Sequence, residues 1–215
     1  MNVNEKFVIT INRELGSGGR TVGRKLAEKL GVPFFDKALI KALQEKYHLD
    51  VSEIEKLKGR NHSWWADFKR SLSIGAQQGE FKYYQAKMVE EPDMLTTDEM
   101  FKAEQEILKG IAEDESCIVA GRSGFYVFRS HPNRLSILIQ ASMDFRVERV
   151  ARKQNMTPED ARTVIEKVDK MRENYVNKYT KTSRYDTRNY DLVISAAGKT
   201  EDEIVDIILL YIGQK

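Results

Sequence analysis

The residues of this chain best suited to chemistry come early, in Arg13-Glu14-Leu15-Gly16-Ser17-Gly18-Gly19-Arg20-Thr21. Glycines packed this closely let backbone N–H groups converge on one anion, and a helix starting just beyond adds the partial positive charge of its N-terminus. Thr21, at that helix start, offers a hydroxyl to Mg²⁺. A turn of this kind is suited to phosphate groups; the plainer alternative is a glycine-rich strand-to-helix turn with no ligand. Its spacing departs from the usual phosphate-loop pattern, Gly-x-x-x-x-Gly-Lys-Ser/Thr. With Gly18 on the second glycine, Arg13 falls on the first and Gly19 on the lysine. The missing charge must then come from Arg20, or from Arg13 reaching across. A guanidinium can grip phosphate bidentately, with a geometry unlike that of lysine.

More arginines are spaced for anions. Arg146, Arg149 and Arg152 recur at steps of three with Lys153 beside them, on roughly one face of a helix. A row of one sign repels itself unless an anion neutralises it. Asp144 and Glu148 nearby allow the plainer reading of a solvated face. Asp169 and Arg172 have the spacing of a helical ion pair, and Arg172 borders an apolar stripe of Ala161, Ile165, Val168 and Tyr175, which turns it partly inward. Arg122, directly after an apolar run, is the arginine best placed for a substrate phosphate, and Asp36 can accept hydrogen bonds from a sugar or base. His48, His62 and His131 lack metal-ligand spacing. Trp64 and Trp65 could stack on a base, although packing is the commoner use of such a pair.

These residues need a scaffold. Apolar runs predict strands at about 7–11, 32–35, 116–120, 135–139 and 192–195. Helical periodicity fills 20–30, 38–47, 98–113, 143–154 and 158–179, and a capping box, Thr200-Glu201-Asp202-Glu203, opens a last helix. Thr157 and Pro158 mark the start of the long helix. The stretch 50–97 has many charges and weak periodicity, and reads as an inserted, mainly helical lobe. Alternating strands and helices predict an α/β fold: one domain over 1–215, its mostly parallel sheet covered by helices on both faces. In such folds ligands sit beyond the C-terminal strand ends, which is where 13–21, Asp36 and 121–124 fall.

The bulk numbers narrow the classes. With 215 residues, 41% hydrophobic and 32% charged, the chain is an ordinary globular protein. Lys+Arg of 35 against Asp+Glu of 33 leaves +2, so no bulk field draws it to nucleic acid or a membrane. One cysteine, Cys117, in an apolar run, points to a reducing compartment. No leader opens the chain and no apolar stretch approaches the ~20 residues of a membrane span, so the cytoplasm is the expected address.

The segment from 7 to 36, with Ile-Asn-Arg-Glu-Leu-Gly-Ser-Gly-Gly-Arg-Thr-Val-Gly and later Val-Pro-Phe-Phe-Asp, resembles the start of the cytidylate kinase-like proteins, in the nucleoside monophosphate kinase group. Cys117-Ile-Val-Ala-Gly-Arg-Ser-Gly, the helix bearing Arg146 to Arg152, Asp169-Lys-Met-Arg-Glu-Asn-Tyr and Asn189-Tyr-Asp-Leu-Val-Ile are similar too. The resemblance spans nearly the whole chain except about 50–97. It implies a P-loop kinase-type fold with a five-stranded parallel sheet, an acceptor-binding helical insert at 50–97 and an arginine-bearing lid at about 146–185. It implies phosphoryl transfer from ATP, with Mg²⁺, to a nucleoside monophosphate, CMP or dCMP first. Arg13, Gly16, Ser17, Gly18, Gly19, Arg20 and Thr21 would hold the ATP phosphates, with Thr21 near the metal. Asp36, Arg122, Asp169 and Arg172 would meet the acceptor, and Arg20, Arg149, Arg152 and Arg172 would serve the moving phosphoryl. The family commonly has Gly-Arg-Asp where this chain has Gly121-Arg122-Ser123, so an acidic contact is lost along with the loop lysine. The alternatives are a catalytically silent nucleotide sensor or a kinase of another small molecule. The expected partner is a nucleotide, with neither nucleic acid nor membrane, on a monomer or homodimer.

Overall fold

A strand buried on both faces reads as a continuous apolar run, and Val8, Ile9 and Ile11 in β1 (Val8–Arg13) have no exposed surface. In the computed structural model, which describes residues 1–37, 39–40, 43–44, 48–58, 64–66 and 98–213, β1 forms the centre of a five-stranded sheet. The other strands are β2 (Phe34–Asp36), β3 (Cys117–Ala120), β4 (Arg134–Gln140) and β5 (Leu192–Ser195), in the order β2-β3-β1-β4-β5. Val8 pairs in parallel with Cys117 on one side and Arg134 on the other, and Ile11 with Ala120 and Ile137. The chain leaves β1 for one half of the sheet and returns to fill the other. The C-terminal end of β1 is therefore the switch point at which such sheets open a crevice.

The chain divides into two compact units, Met1–Phe34 with Cys117–Lys215, and Phe35–Ser116. In the first, α1 (Gly19–Leu30) lays Val22, Leu26 and Ala27 into the same core as Ile9, Ile11, Ile118 and Ile137. Gly23 permits this approach, since a Cβ there would stand 2.7 Å from the Phe34 ring. The last helix of the unit (Glu201–Tyr211) adds Ile204, Val205 and Ile208, and its capping box of Thr200 and Glu203 is fully formed.

In the second unit a helix, α2 (Val51–Lys58), packs on α3 (Asp98–Asp114), burying Ile54, Phe101, Ile107 and Ile111. Trp64 and Trp65 are buried edge to face, with centroids 5.8 Å apart. Most of the lobe expected over 50–97, and much of the helix expected over 38–47, lies outside the described residues.

Returning to the first unit, one short helix, α4 (Gly124–Val127), follows β3. After β4 come α5 (Met143–Gln154), capped by Ser142, and α6 (Pro158–Thr180), capped by Thr157 with Pro158 in its first turn. These two form a separate small core from Val147, Val150, Ala161 and Ile165, and Leu15 of the glycine-rich turn packs into it. The final helix, after β5, is α7. No helix among the described residues is long and apolar enough to cross a membrane.

Candidate functional site

Beyond Arg13 the backbone turns through left-handed conformations at Gly16 (φ 84°) and Gly18 (φ 82°), and Gly18 caps α1. Both glycines are required. A Cβ on Gly16 would stand 2.9 Å from the Cβ and carbonyl oxygen of Arg146. The buried Ser17 hydroxyl donates to the Glu14 carbonyl at 2.9 Å, closing the turn on itself. The Glu14 carboxylate accepts from the Ala141 N–H at 2.9 Å, tying the turn to the end of β4. The first N–H groups of a helix have no partner within it, and those of α1 follow directly on the turn. Arg20 and Thr21 are half-buried in that first turn of α1.

Asp169 on α6 is the electrostatic hub. Its carboxylate accepts from the Leu15 N–H at 3.1 Å and from Arg146 Nη1 at 2.5 Å. Arg184 Nη1 is 3.6 Å away and Arg172 Nη1 3.7 Å. The Glu14 carboxylate lies 3.6 Å from Arg146 Nε. Three guanidiniums thus meet two carboxylates, which leaves the cluster positive. Arg172 and Arg184 both also donate to the Arg13 carbonyl, Arg172 at 3.4 Å. Arg184 is 1% exposed. Its own carbonyl accepts from the Tyr190 hydroxyl at 2.6 Å, and that hydroxyl accepts in turn from the Asn12 amide of β1. Burial pushes the Tyr190 phenol up to about 12.

Arg149 leans over the loop. Its Nη2 lies 3.4 Å from where a Cβ on Gly18 would be, and it pairs with Glu201 at the start of α7. Arg152, one turn on, is exposed. At the end of β3, Gly121, Arg122 and Ser123 are all left-handed, with φ of 78°, 54° and 52°. For non-glycine residues this costs about 1–3 kcal/mol each and survives where the surroundings impose it, often at functional sites. The turn buries Arg122 and sets its guanidinium 4.7 Å over the Tyr175 ring of α6. Burial pulls the Arg122 guanidinium down from its ordinary value, and burial pushes Tyr175 up to about 12. The Ser123 hydroxyl is buried without a hydrogen-bond partner among the described residues. Asp36 belongs to the second unit, where its buried carboxylate accepts from the Leu39 N–H at 3.1 Å. No group of three His, Cys, Asp or Glu residues suited to a metal occurs among the described residues.

The structure therefore gathers Arg13 through Thr21, Arg149, Asp169 and Arg172 at the end of β1, with Arg122 beside α6 at the end of β3. Arg152 is not drawn in. Arg184 and the ion-pairing role of Arg146, Glu14 and Glu201 are absent from the sequence reading. Arg184 sits in an aperiodic stretch between α6 and β5, where a single arginine carries no local signal.

A five-stranded parallel sheet of this order, with a glycine-rich turn between β1 and α1, defines a P-loop kinase-type fold. The sequence matches the cytidylate kinase-like family over residues 8–197, and the chain belongs to that family. A cytidylate kinase of Sulfolobus acidocaldarius is 24% identical over 208 residues, covering 96% of this chain and 94% of the relative. An uncharacterized protein from Eubacterium ventriosum shares the fold with a TM-score of 0.67 at 23% identity, over 97% of this chain and 99% of the other. Shikimate kinase from Bacteroides thetaiotaomicron gives a TM-score of 0.50 at 13% identity, over 96% and 98% of the two chains.

Proposed function

We propose that this protein transfers the γ-phosphoryl group of ATP to a nucleoside monophosphate, with CMP or dCMP the preferred acceptor. The observation that carries this is the left-handed glycine turn at the end of β1, with the Arg149 guanidinium 3.4 Å from the Cβ position of Gly18. A cation over a glycine turn at a helix N-terminus suits a phosphate group. Family membership and the name of the Sulfolobus relative support the choice of acceptor.

Phosphoryl transfer asks for positioning and charge neutralisation more than covalent help. Gly16 through Thr21 hold the donor phosphates, and Arg20 lies beside them. The Thr21 hydroxyl would hold Mg²⁺, which when bound would supply neutralisation of the charge on the phosphates. Arg122 meets the acceptor phosphate; Asp36, in the second unit, offers a carboxylate suited to a sugar or base. Arg149, Arg152 and Arg172 belong to the arm that closes over the transferring group. Asp169, saturated by Leu15 and three arginines, acts by holding Arg172 and Arg184 in place. The reading assigns the work to the cytoplasm, where ATP and nucleotides are held.

The test is ADP release from Mg²⁺ATP with CMP, dCMP, UMP, AMP and GMP offered in turn. Stimulation by CMP or dCMP above the others is the expected result. No ADP release with any of them, by a protein that still binds ATP, would refute it. That result would favour the sensor reading, for which Gly19 in the lysine position is the specific argument.

A further inference from the structure

Gly19 and Arg13 touch across the base of the loop. A Cβ built on Gly19 stands 2.7 Å from Arg13 Cβ, 3.4 Å from Arg13 Cγ and 3.4 Å from Ile139 Cβ of β4. The first of these distances is closer than two carbons can come, and the obstacle is a stem fixed to the backbone of β1. No side chain, lysine included, fits at 19 without displacing β1 or α1 while one is present at 13. In the usual pattern the two positions hold the opposite residues, glycine at the first and lysine at the second. The chain has exchanged them.

The exchange gives the Arg13 side chain a defined course. Its carbonyl is pinned by Arg172 and Arg184, and its Nη1 lies 2.5 Å from where a Cβ on Gly121 would be, with Cζ at 3.7 Å. The side chain passes over Gly19 and ends at the left-handed turn that precedes Arg122. Two glycines, 19 and 121, are cut away along its path. The guanidinium thus sits between the donor loop and the turn that carries the acceptor-side arginine. A lysine at 19 would rise from the first turn of α1 as a point charge on the donor side alone.

We propose that Arg13 carries the charge that the loop lysine carries in the usual pattern, and that its fork reaches the transferring phosphoryl from the side of β3. The proposal rests on the phosphate-binding reading above and names the residue that neutralises the terminal phosphate. It commits to Arg13 where the sequence left Arg13 and Arg20 open.

The test compares ATP with AMP as probes, by calorimetry on the whole protein with Mg²⁺. Arg13→Met keeps the stem that packs on Gly19 and removes the charge. It should lower the preference for ATP over AMP by about 10- to 100-fold, the loss of charge-assisted hydrogen bonds to the outer phosphates. Arg13→Lys should recover part of it. Gly19→Lys alone should lower the melting temperature, and Arg13→Gly with Gly19→Lys should restore both stability and the ATP preference. An unchanged preference in Arg13→Met, or a loss seen only in Arg20→Met, would overturn the proposal and leave the kinase reading standing. Failure of the unaltered protein to bind ATP at all would overturn both.

Discussion

Replacing Asp169 by Asn tests whether the arginine cluster is held together by one carboxylate. Asparagine keeps the size of the side chain and can still accept the Leu15 N–H, but it removes the charge facing Arg146 at 2.5 Å, Arg184 at 3.6 Å and Arg172 at 3.7 Å. The gross attraction at these distances is several kcal/mol per pair at an effective dielectric of about 20. Desolvation of the buried groups offsets most of it. The measurable quantity is the penalty for leaving buried charge uncompensated, about 3–5 kcal/mol. Glu14, 3.6 Å from Arg146 Nε, relieves a part, so the lower half of that range is expected. For a chain of this length the melting temperature should fall by roughly 6–16 °C, followed by circular dichroism at 222 nm. Inorganic phosphate should then raise the melting temperature of Asp169→Asn more than that of the unaltered protein, because the cluster has lost the carboxylate its three guanidiniums share, leaving only Glu14 beside Arg146. A fall below about 2 °C would refute the idea that Asp169 organises the cluster.

Further outcomes can be measured on the same protein. Gly110→Ala would place a Cβ 2.5 Å from Trp64 Nε1, so despite the better helix propensity of alanine it should destabilise the second unit by about 1–2 kcal/mol and shift the tryptophan emission. Tyr175 and Tyr190 are both pushed up to about 12 by burial. A phenol raised in the folded state stabilises fully below its unfolded value near 10 and loses that contribution as pH climbs through 12. Urea midpoints should therefore fall between pH 10 and 12, and Tyr190→Phe should flatten the decline; equal slopes would count against it. In ADP release, Arg149→Met should lower kcat by about 10³-fold or more, while Arg152→Met should cost far less, since Arg152 is exposed and Arg149 overhangs Gly18. A reversed order would move the phosphates away from Gly18.

Much of the scaffold was legible because burial leaves a mark on composition. β1, β3 and β4 are covered on both faces and read as apolar runs, and α6 and α7 announce themselves through Thr157, Pro158 and the Thr200 box. The arginine row shows where pattern misleads. Three residues at 100° each fall about 60° short of a full turn, so steps of three drift round the helix. Arg146 accordingly points inward, Arg149 to the loop and Arg152 to solvent. Arg122 and Ser123 in left-handed backbone carry no sequence mark, because that conformation is imposed by packing. Arg184 acquires its place only when the chain after α6 folds back on β1.

That return has a consequence for how the molecule is born. The Arg13 carbonyl is bonded by residues 159 and 171 positions later in the chain, and β1 finds its partners only at Cys117 and Arg134. At a synthesis rate of about 5–20 residues per second, the phosphate turn waits roughly 10–30 seconds after its own translation for the segment that fixes it. Until β3 and β4 emerge, the central strand of the sheet is unpaired on the ribosome. The turn is thus held in place only once the segment carrying Arg172 and Arg184 has emerged, so products truncated before it should leave β1 and the turn without these anchors.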